Sequence, residues 1–154
     1  MSMDGRTCVI TGSARGIGRG IAKYLGEEGA NVVINYRSSE EDAYEAVDAI
    51  ESAGGSAVAA QADVSDRAAV EHMREVCHEA FGQCDVLVNN AGITADKQFT
   101  EMSREEWDRV MDVNLGGMFN CTQVFYDDIW NAEEGRLINI SSVVGKQGNF
   151  GQAN

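Results

Sequence analysis

Thr7-Cys8-Val9-Ile10-Thr11-Gly12-Ser13-Ala14-Arg15-Gly16-Ile17-Gly18, close to the start of the chain, is the stretch on which the reading of the fold turns. A short apolar run, Cys8 to Ile10, gives way to Gly12, Gly16 and Gly18, and Ile17, Ile21 and Leu25 then recur at helical spacing. The pattern is strand, tight turn, helix. Residues without a Cβ let the backbone bend sharply and approach a diphosphate, whose charge is met by the unpaired N–H groups at the head of the helix. The stretch therefore predicts a nucleotide site.

Downstream, strand and helix patterns alternate. Asn31 to Tyr36 is a β-branched run of strand type. Ser38-Ser39-Glu40-Glu41 offers a capping box to a helix that carries Ala43, Val47 and Ile50 on one face, and Gly54-Gly55 stops it. Ser56 to Ala62 predicts a third strand ending at Asp63-Val64, and Ser65 and Asp66 cap a helix striped by Val70, Met73, Cys77 and Ala80. Asp85 to Val88 reads as a buried strand running into Asn89-Asn90-Ala91-Gly92. Ser103-Arg104-Glu105-Glu106 is a second capping box, opening a long helix, Glu105 to Trp130, in which Gly116-Gly117 invites close packing or a bend. Arg136 to Ser142 predicts a fifth strand, and Val143 to Asn154 a glycine-punctuated loop. Such alternation argues for a parallel sheet with helices on both faces, whose ligands bind beyond the carboxyl ends of the strands. Every motif named here falls at such an end.

Composition narrows the class. A chain of 154 residues holds one core, not two ordinary domains. Its net charge of −13, with lysine only at Lys23, Lys97 and Lys146, makes nucleic acid an unexpected partner, because phosphate binding needs clustered cations. Of a mildly acidic mesophilic protein and one adapted to high salt, the charge favours the second, since screening relieves self-repulsion. No membrane span or signal peptide is expected, and a cytoplasmic location follows by default. Cys8, Cys77, Cys84 and Cys121 form no Cys-x-x-Cys pair and sit in apolar or helical settings, which predicts buried free thiols. His72 and His78 bracket Cys77 but fall on different sides of a helix, so no metal site is expected.

The glycine spacing, Gly-x-x-x-Gly-x-Gly preceded by Thr11, together with Asn89-Asn90-Ala91-Gly92 and Asn114 within Val113-Asn114-Leu115, resembles the short-chain dehydrogenase/reductase family from Gly5 to Asn154. The resemblance implies an α/β fold, a Rossmann-type doubly wound parallel sheet, truncated after the fifth strand within a single NADP-binding domain over residues 1–154. It also implies cofactor contacts at Gly12, Ser13, Arg15, Gly16, Ile17 and Gly18, an adenine edge at Asp63 and Val64, and a wall at Asn90, Ala91 and Gly92 that serves the cofactor, the scaffold or both. Where the second strand ends, Asn35-Tyr36-Arg37-Ser38 holds no carboxylate to accept from a ribose 2′-hydroxyl, and Arg15 is placed by the resemblance on the same side as Arg37. Two guanidiniums without an acid favour NADP(H) over NAD.

Reduction of a carbonyl needs a hydride donor, a proton donor at oxygen and dipoles for the developing charge. In the family a Ser, a Tyr and a Lys supply these, with an Asn holding a relay water. Ser142 matches the serine and Asn114 the asparagine; the tyrosine would fall directly after Asn154 and the lysine a turn later. The chain is accordingly expected to be the N-terminal part of a reductase, inactive alone. Its rivals are a non-catalytic nucleotide-binding module and a fragment that hardly folds. The segments Lys146 to Asn154 and Met102 to Trp107 look like those of the family's 3-ketoacyl reductases, which implies a small acyl thioester substrate facing Phe150 and Gln152. The acceptor is acetoacetyl-CoA, for polyhydroxyalkanoate synthesis, or an acyl carrier protein; an acidic surface opposes an acidic carrier and tilts the choice to CoA. The exposed apolar face of the long helix implies a homodimer or homotetramer for the complete protein.

Overall fold

The computed structural model describes residues 3–154. Five strands, β1 (Thr7–Ile10), β2 (Asn31–Tyr36), β3 (Ser56–Gln61), β4 (Val86–Asn89) and β5 (Arg136–Asn139), form one parallel sheet in the order β3-β2-β1-β4-β5. The order reverses between β1 and β4, so their carboxyl ends part and leave a crevice there.

Alternation along each strand assigns a core to each face. Cys8, Ile10, Val32, Ile34, Val86 and Val88 pack with Ala22 of α1 (Gly16–Glu27) and with Ala43, Val47 and Ile50 of α2 (Glu40–Ser52). Val9, Val33 and Leu87 pack on the other face with Val70, Met73 and Cys77 of α3 (Arg67–Phe81), together with Cys121 and Phe125. Strands covered on both faces need apolar residues at every position, which is why they read as unbroken runs in the sequence. All four cysteines are buried and free, and burial pushes the Cys8, Cys77 and Cys121 thiols up to about 12. Among the described residues no helix is long and apolar enough to cross a membrane.

Two of the three expected caps form. Asp66 accepts from the Ala68 amide at 2.9 Å, and Ser103 and Glu106 exchange bonds of 3.1 and 2.8 Å at the head of α4 (Arg104–Met111). At α2 the box does not close: Ser39 is the N-cap and its side chain makes no cap bond, leaving the acidic first turn to meet the helix dipole.

The long helix is divided. α4 passes into a π-helical turn, Asp112–Gly116, then α5 (Gly117–Val124) and α6 (Tyr126–Asn131). Gly117 serves close packing, since a Cβ there would stand 2.5 Å from Val64 Cγ2. Asn114 lies within the wide turn and bonds the loop after β4, as described below. The fifth strand stops at Asn139, short of the expected Ser142, and the last segment is not all loop: α7 (Val144–Gln147) forms one turn, its Val144 amide donating to Ser142 Oγ at 3.2 Å. β5 lies at the sheet edge with Leu137 and Ile138 exposed, and the α4–α6 ridge leaves Leu115, Phe119, Tyr126 and Trp130 exposed.

Candidate functional site

The first turn is packed on itself. Gly12 holds a φ of +63°, and a Cβ there would lie 3.0 Å from Ala91 Cα; a Cβ on Gly18 would lie 2.6 Å from both Asn90 Nδ2 and the Gly12 carbonyl oxygen. Thr11 latches β4 to this turn. Its hydroxyl oxygen accepts from the Asn90 and Ala91 amides, each at 2.9 Å, while Asn90 Nδ2 donates to the carbonyls of Thr11 at 2.9 Å and Gly12 at 3.2 Å. Asn90 and Ala91 thus have a scaffolding role in addition to facing the crevice.

Asn35 fastens the same turn from the other side. Its Oδ1 accepts from the Gly12 amide at 2.9 Å, and its carbonyl accepts from the Ser13 amide at 2.9 Å. Ser13 Oγ donates to the Ile10 carbonyl at 2.7 Å and accepts from the Asn35 amide at 3.0 Å. The amides of Gly12 and Ser13 are therefore engaged by the protein itself. Gly16, Ile17 and Gly18 head α1, where the N–H groups have no intrahelical acceptor. The Gly12 and Ser13 amides are thus taken, whereas the helix head keeps donors that suit an anion.

A cleft of about 280 Å³ opens over the turn, lined among others by Arg15, Arg37, Asp63 and Val64. The sequence showed no carboxylate where β2 ends, yet the fold supplies one from beyond β3: Asp63 Oδ2 stands 3.9 Å from Arg37 Nη1. Burial pushes the Asp63 carboxyl up, but bonds from the Ser65 hydroxyl at 2.6 Å and amide at 3.0 Å, with the Arg37 guanidinium, outweigh it and hold the group below the ordinary carboxylate range.

A second cavity of about 690 Å³ shares the wall of residues 90–93 with the first and is lined also by Asn114, Ser142 and Gln152. Asn114 Oδ1 accepts from the Ile93 amide at 2.8 Å and Nδ2 donates to the Ile93 carbonyl at 3.0 Å, so both ends of its amide hold the wall. Ser142 Oγ accepts from Val144 and keeps its own proton to donate. Gln152 is tied down, its Nε2 donating to Asp96 Oδ1 at 2.9 Å and Oδ2 at 3.0 Å, while the Lys97 amide donates to the Gly151 carbonyl at 2.7 Å. The two residues expected to face an acyl group are thereby separated: Gln152 lines the cavity, whereas Phe150 is 80% exposed and does not. The clip between residues 96–97 and 151–152 turns Phe150 to solvent.

The family model described as short chain dehydrogenase matches residues 6–154. The chain belongs to the short-chain dehydrogenase family. A 3-oxoacyl-acyl-carrier-protein reductase, FabG, of Staphylococcus aureus is 47% identical over 149 residues, covering 97% of this chain and 61% of that protein. A 3beta-hydroxysteroid dehydrogenase of Eggerthella lenta is 46% identical over 142 residues, 92% of this chain and 54% of that one. A short chain dehydrogenase from Burkholderia cenocepacia, solved in complex with NADP, superposes with a TM-score of 0.92 at 34% identity, over 99% of this chain and 61% of that chain. The chain thus spans about three fifths of the length of the dehydrogenases it matches.

Asp96 carries no motif, and Asn35 stands in the sequence only as part of the end of β2. Asn35 had one signal: a carboxamide within Val32-Val33-Ile34-Asn35-Tyr36, a run of residues that otherwise suit a buried strand.

Proposed function

We propose that this chain is the nucleotide-binding portion of an NADP(H)-dependent reductase of 3-oxoacyl thioesters. The observation that carries the reading is the continuity of the two cavities along residues 90–93, with guanidiniums at one end and the Ser142 hydroxyl at the other. The helix head at Gly16, Ile17 and Gly18 would hold the diphosphate, Arg15 and Arg37 the 2′-phosphate, and Asp63 and Val64 the adenine edge. Ser13 shapes the bend, and Asn90, Ala91 and Gly92 line the middle of the cofactor. The cradle fits such a group because a Cβ on Gly16, at the start of the helix, would project into open space, while Gly12 and Gly18 let the turn close on Ala91, Asn90 and Ser13. The NADP bound by the Burkholderia relative supports the same choice.

The chemistry that NADPH would supply, when held there, is a hydride to the carbonyl carbon. Ser142 donates to the substrate oxygen, and Asn114 fixes Ile93 and is the candidate for the relay water. The Staphylococcus relative's name supports the 3-oxoacyl class. Between carriers, the charge of −13 argues for acetoacetyl-CoA over an acidic carrier protein, although the relative is named for the latter. The complete protein is read as a homodimer or homotetramer through the exposed α4–α6 ridge, and as cytoplasmic.

The cofactor reading is tested by titrating the chain with NADPH and NADH. Wild type is expected to prefer NADPH, and Arg37→Asp to lose about tenfold or more of that preference; an unchanged ratio excludes Arg37 from the 2′-phosphate site. Rates of the complete protein on acetoacetyl-CoA, acetoacetyl carrier protein and a 3-oxosteroid then decide the substrate. No turnover on any of them despite NADPH binding supports a non-catalytic module.

A further inference from the structure

Asn35 is 2% exposed, and its side chain is bonded at both ends to backbone belonging to different parts of the proposed cofactor site. Its Oδ1 takes the Gly12 amide at 2.9 Å; its Nδ2 donates to the carbonyls of Ala62 at 3.1 Å and Ala60 at 3.2 Å, with a longer contact of 3.5 Å to Tyr36. Gly12 begins the phosphate turn, and Ala62 directly precedes Asp63 and Val64 at the adenosine edge. Among the described residues no other side chain bonds both segments, and the amide's oxygen and its N–H donors are all engaged by backbone. A strand position buried on both faces is ordinarily apolar, so a carboxamide here carries a desolvation cost that only this bonding offsets.

We infer that Asn35 is a positioning residue that sets the separation between the phosphate turn and the adenosine edge, and that withdraws the Gly12 amide from anion binding so that the diphosphate is held at the helix head alone. The inference rests on the dinucleotide reading given above. Because one amide spans the two segments, its loss relaxes their spacing while Arg15, Arg37 and the helix-head amides, the groups assigned to the cofactor's phosphates, stay in place. A ligand that must engage both segments at once then suffers, and a ligand engaging only one does not.

The test compares Asn35→Asp and Asn35→Leu with wild type, using NADPH as the spanning ligand and adenosine 2′-monophosphate and inorganic pyrophosphate as the separate halves. Asn35→Asp keeps the acceptor for Gly12 and loses the donors to Ala60 and Ala62; Asn35→Leu loses both. Affinity for NADPH is expected to fall by about tenfold to a hundredfold in either variant, with each half changed by less than about threefold. Equal losses for all three ligands, or none, overturn the inference. Amide hydrogen exchange in wild type gives an answer even if both variants fail to fold: Gly12 should stay protected when NADPH binds, while Ile17 and Gly18 gain protection. A Gly12 amide that exchanges its Asn35 bond for the ligand also overturns it. Wild type that binds neither NADPH nor either half defeats the dinucleotide reading itself, an outcome separate from these.

Discussion

A methyl group added at Gly18 would meet the Gly12 carbonyl and the Asn90 carboxamide at 2.6 Å and Ser13 Cα at 2.9 Å, and two of these three are backbone that cannot swing aside. Two residues along α1, on another side of the helix, a Cβ on Gly20 meets nothing within 4 Å. The same substitution at these two glycines should therefore act in opposite directions. Gly18→Ala is expected to destabilise the fold by roughly 1–3 kcal/mol and to abolish nucleotide binding, whereas Gly20→Ala should gain about 0.5–1 kcal/mol from helix propensity. Urea midpoints of the two variants check this; similar shifts for both would contradict the close approach. The sequence marks all the glycines of the turn alike. Which of them is irreplaceable depends on how near Asn90 comes, and Asn90 is distant in the chain.

Between elements, the contact with most at stake is the one joining α3 to α6. Asp128 is 7% exposed and accepts from Arg74 Nε and Nη2 and from His78 Nε2, each at 2.8 Å. Burial pushes its carboxyl up, but the Arg74 and His78 bonds outweigh that and hold it below the ordinary carboxylate range. A carboxyl lower in the folded state than in the unfolded chain adds stability that is complete above the unfolded value and lost as pH falls through the folded one. Asp128→Asn should cost about 1–3 kcal/mol at neutral pH, near the lower end because water reaches and screens Arg74 and His78. The difference from wild type should shrink as pH falls through and below the ordinary carboxylate range, read from urea midpoints. A difference independent of pH would assign Asp128 to packing alone. Spacing in the sequence put His72 and His78 on different sides of one helix but gave neither a partner. What His78 does became visible only when α6 was laid against α3.

For the molecule as a whole, charge is the dominant variable. With Asp and Glu at 25 and Lys and Arg at 12, the surface repels itself in dilute buffer. The melting temperature is expected to rise steeply between dilute buffer and molar KCl, where the Debye length falls to about 3 Å. A flat response assigns the acidity to an ordinary acidic protein. The exposed Leu115, Phe119, Tyr126 and Trp130 add apolar side chains along one ridge of that acidic exterior, and the same salt series, followed by sedimentation, reports whether screening lets copies associate through it.

Local chemistry wrote the strands, the helix heads and the phosphate turn into the sequence, because apolar periodicity, capping residues and glycine positions act on neighbours in the chain. The carboxamide at Asn35, the carboxylate that reaches Arg37 from Asp63, the clip that turns Phe150 outward and the π turn under Asn114 were decided by tertiary packing. Each depends on the distance between segments remote in sequence, and that distance is set by the order β3-β2-β1-β4-β5, which brings the carboxyl ends of β1, β2, β3 and β4 to one crevice.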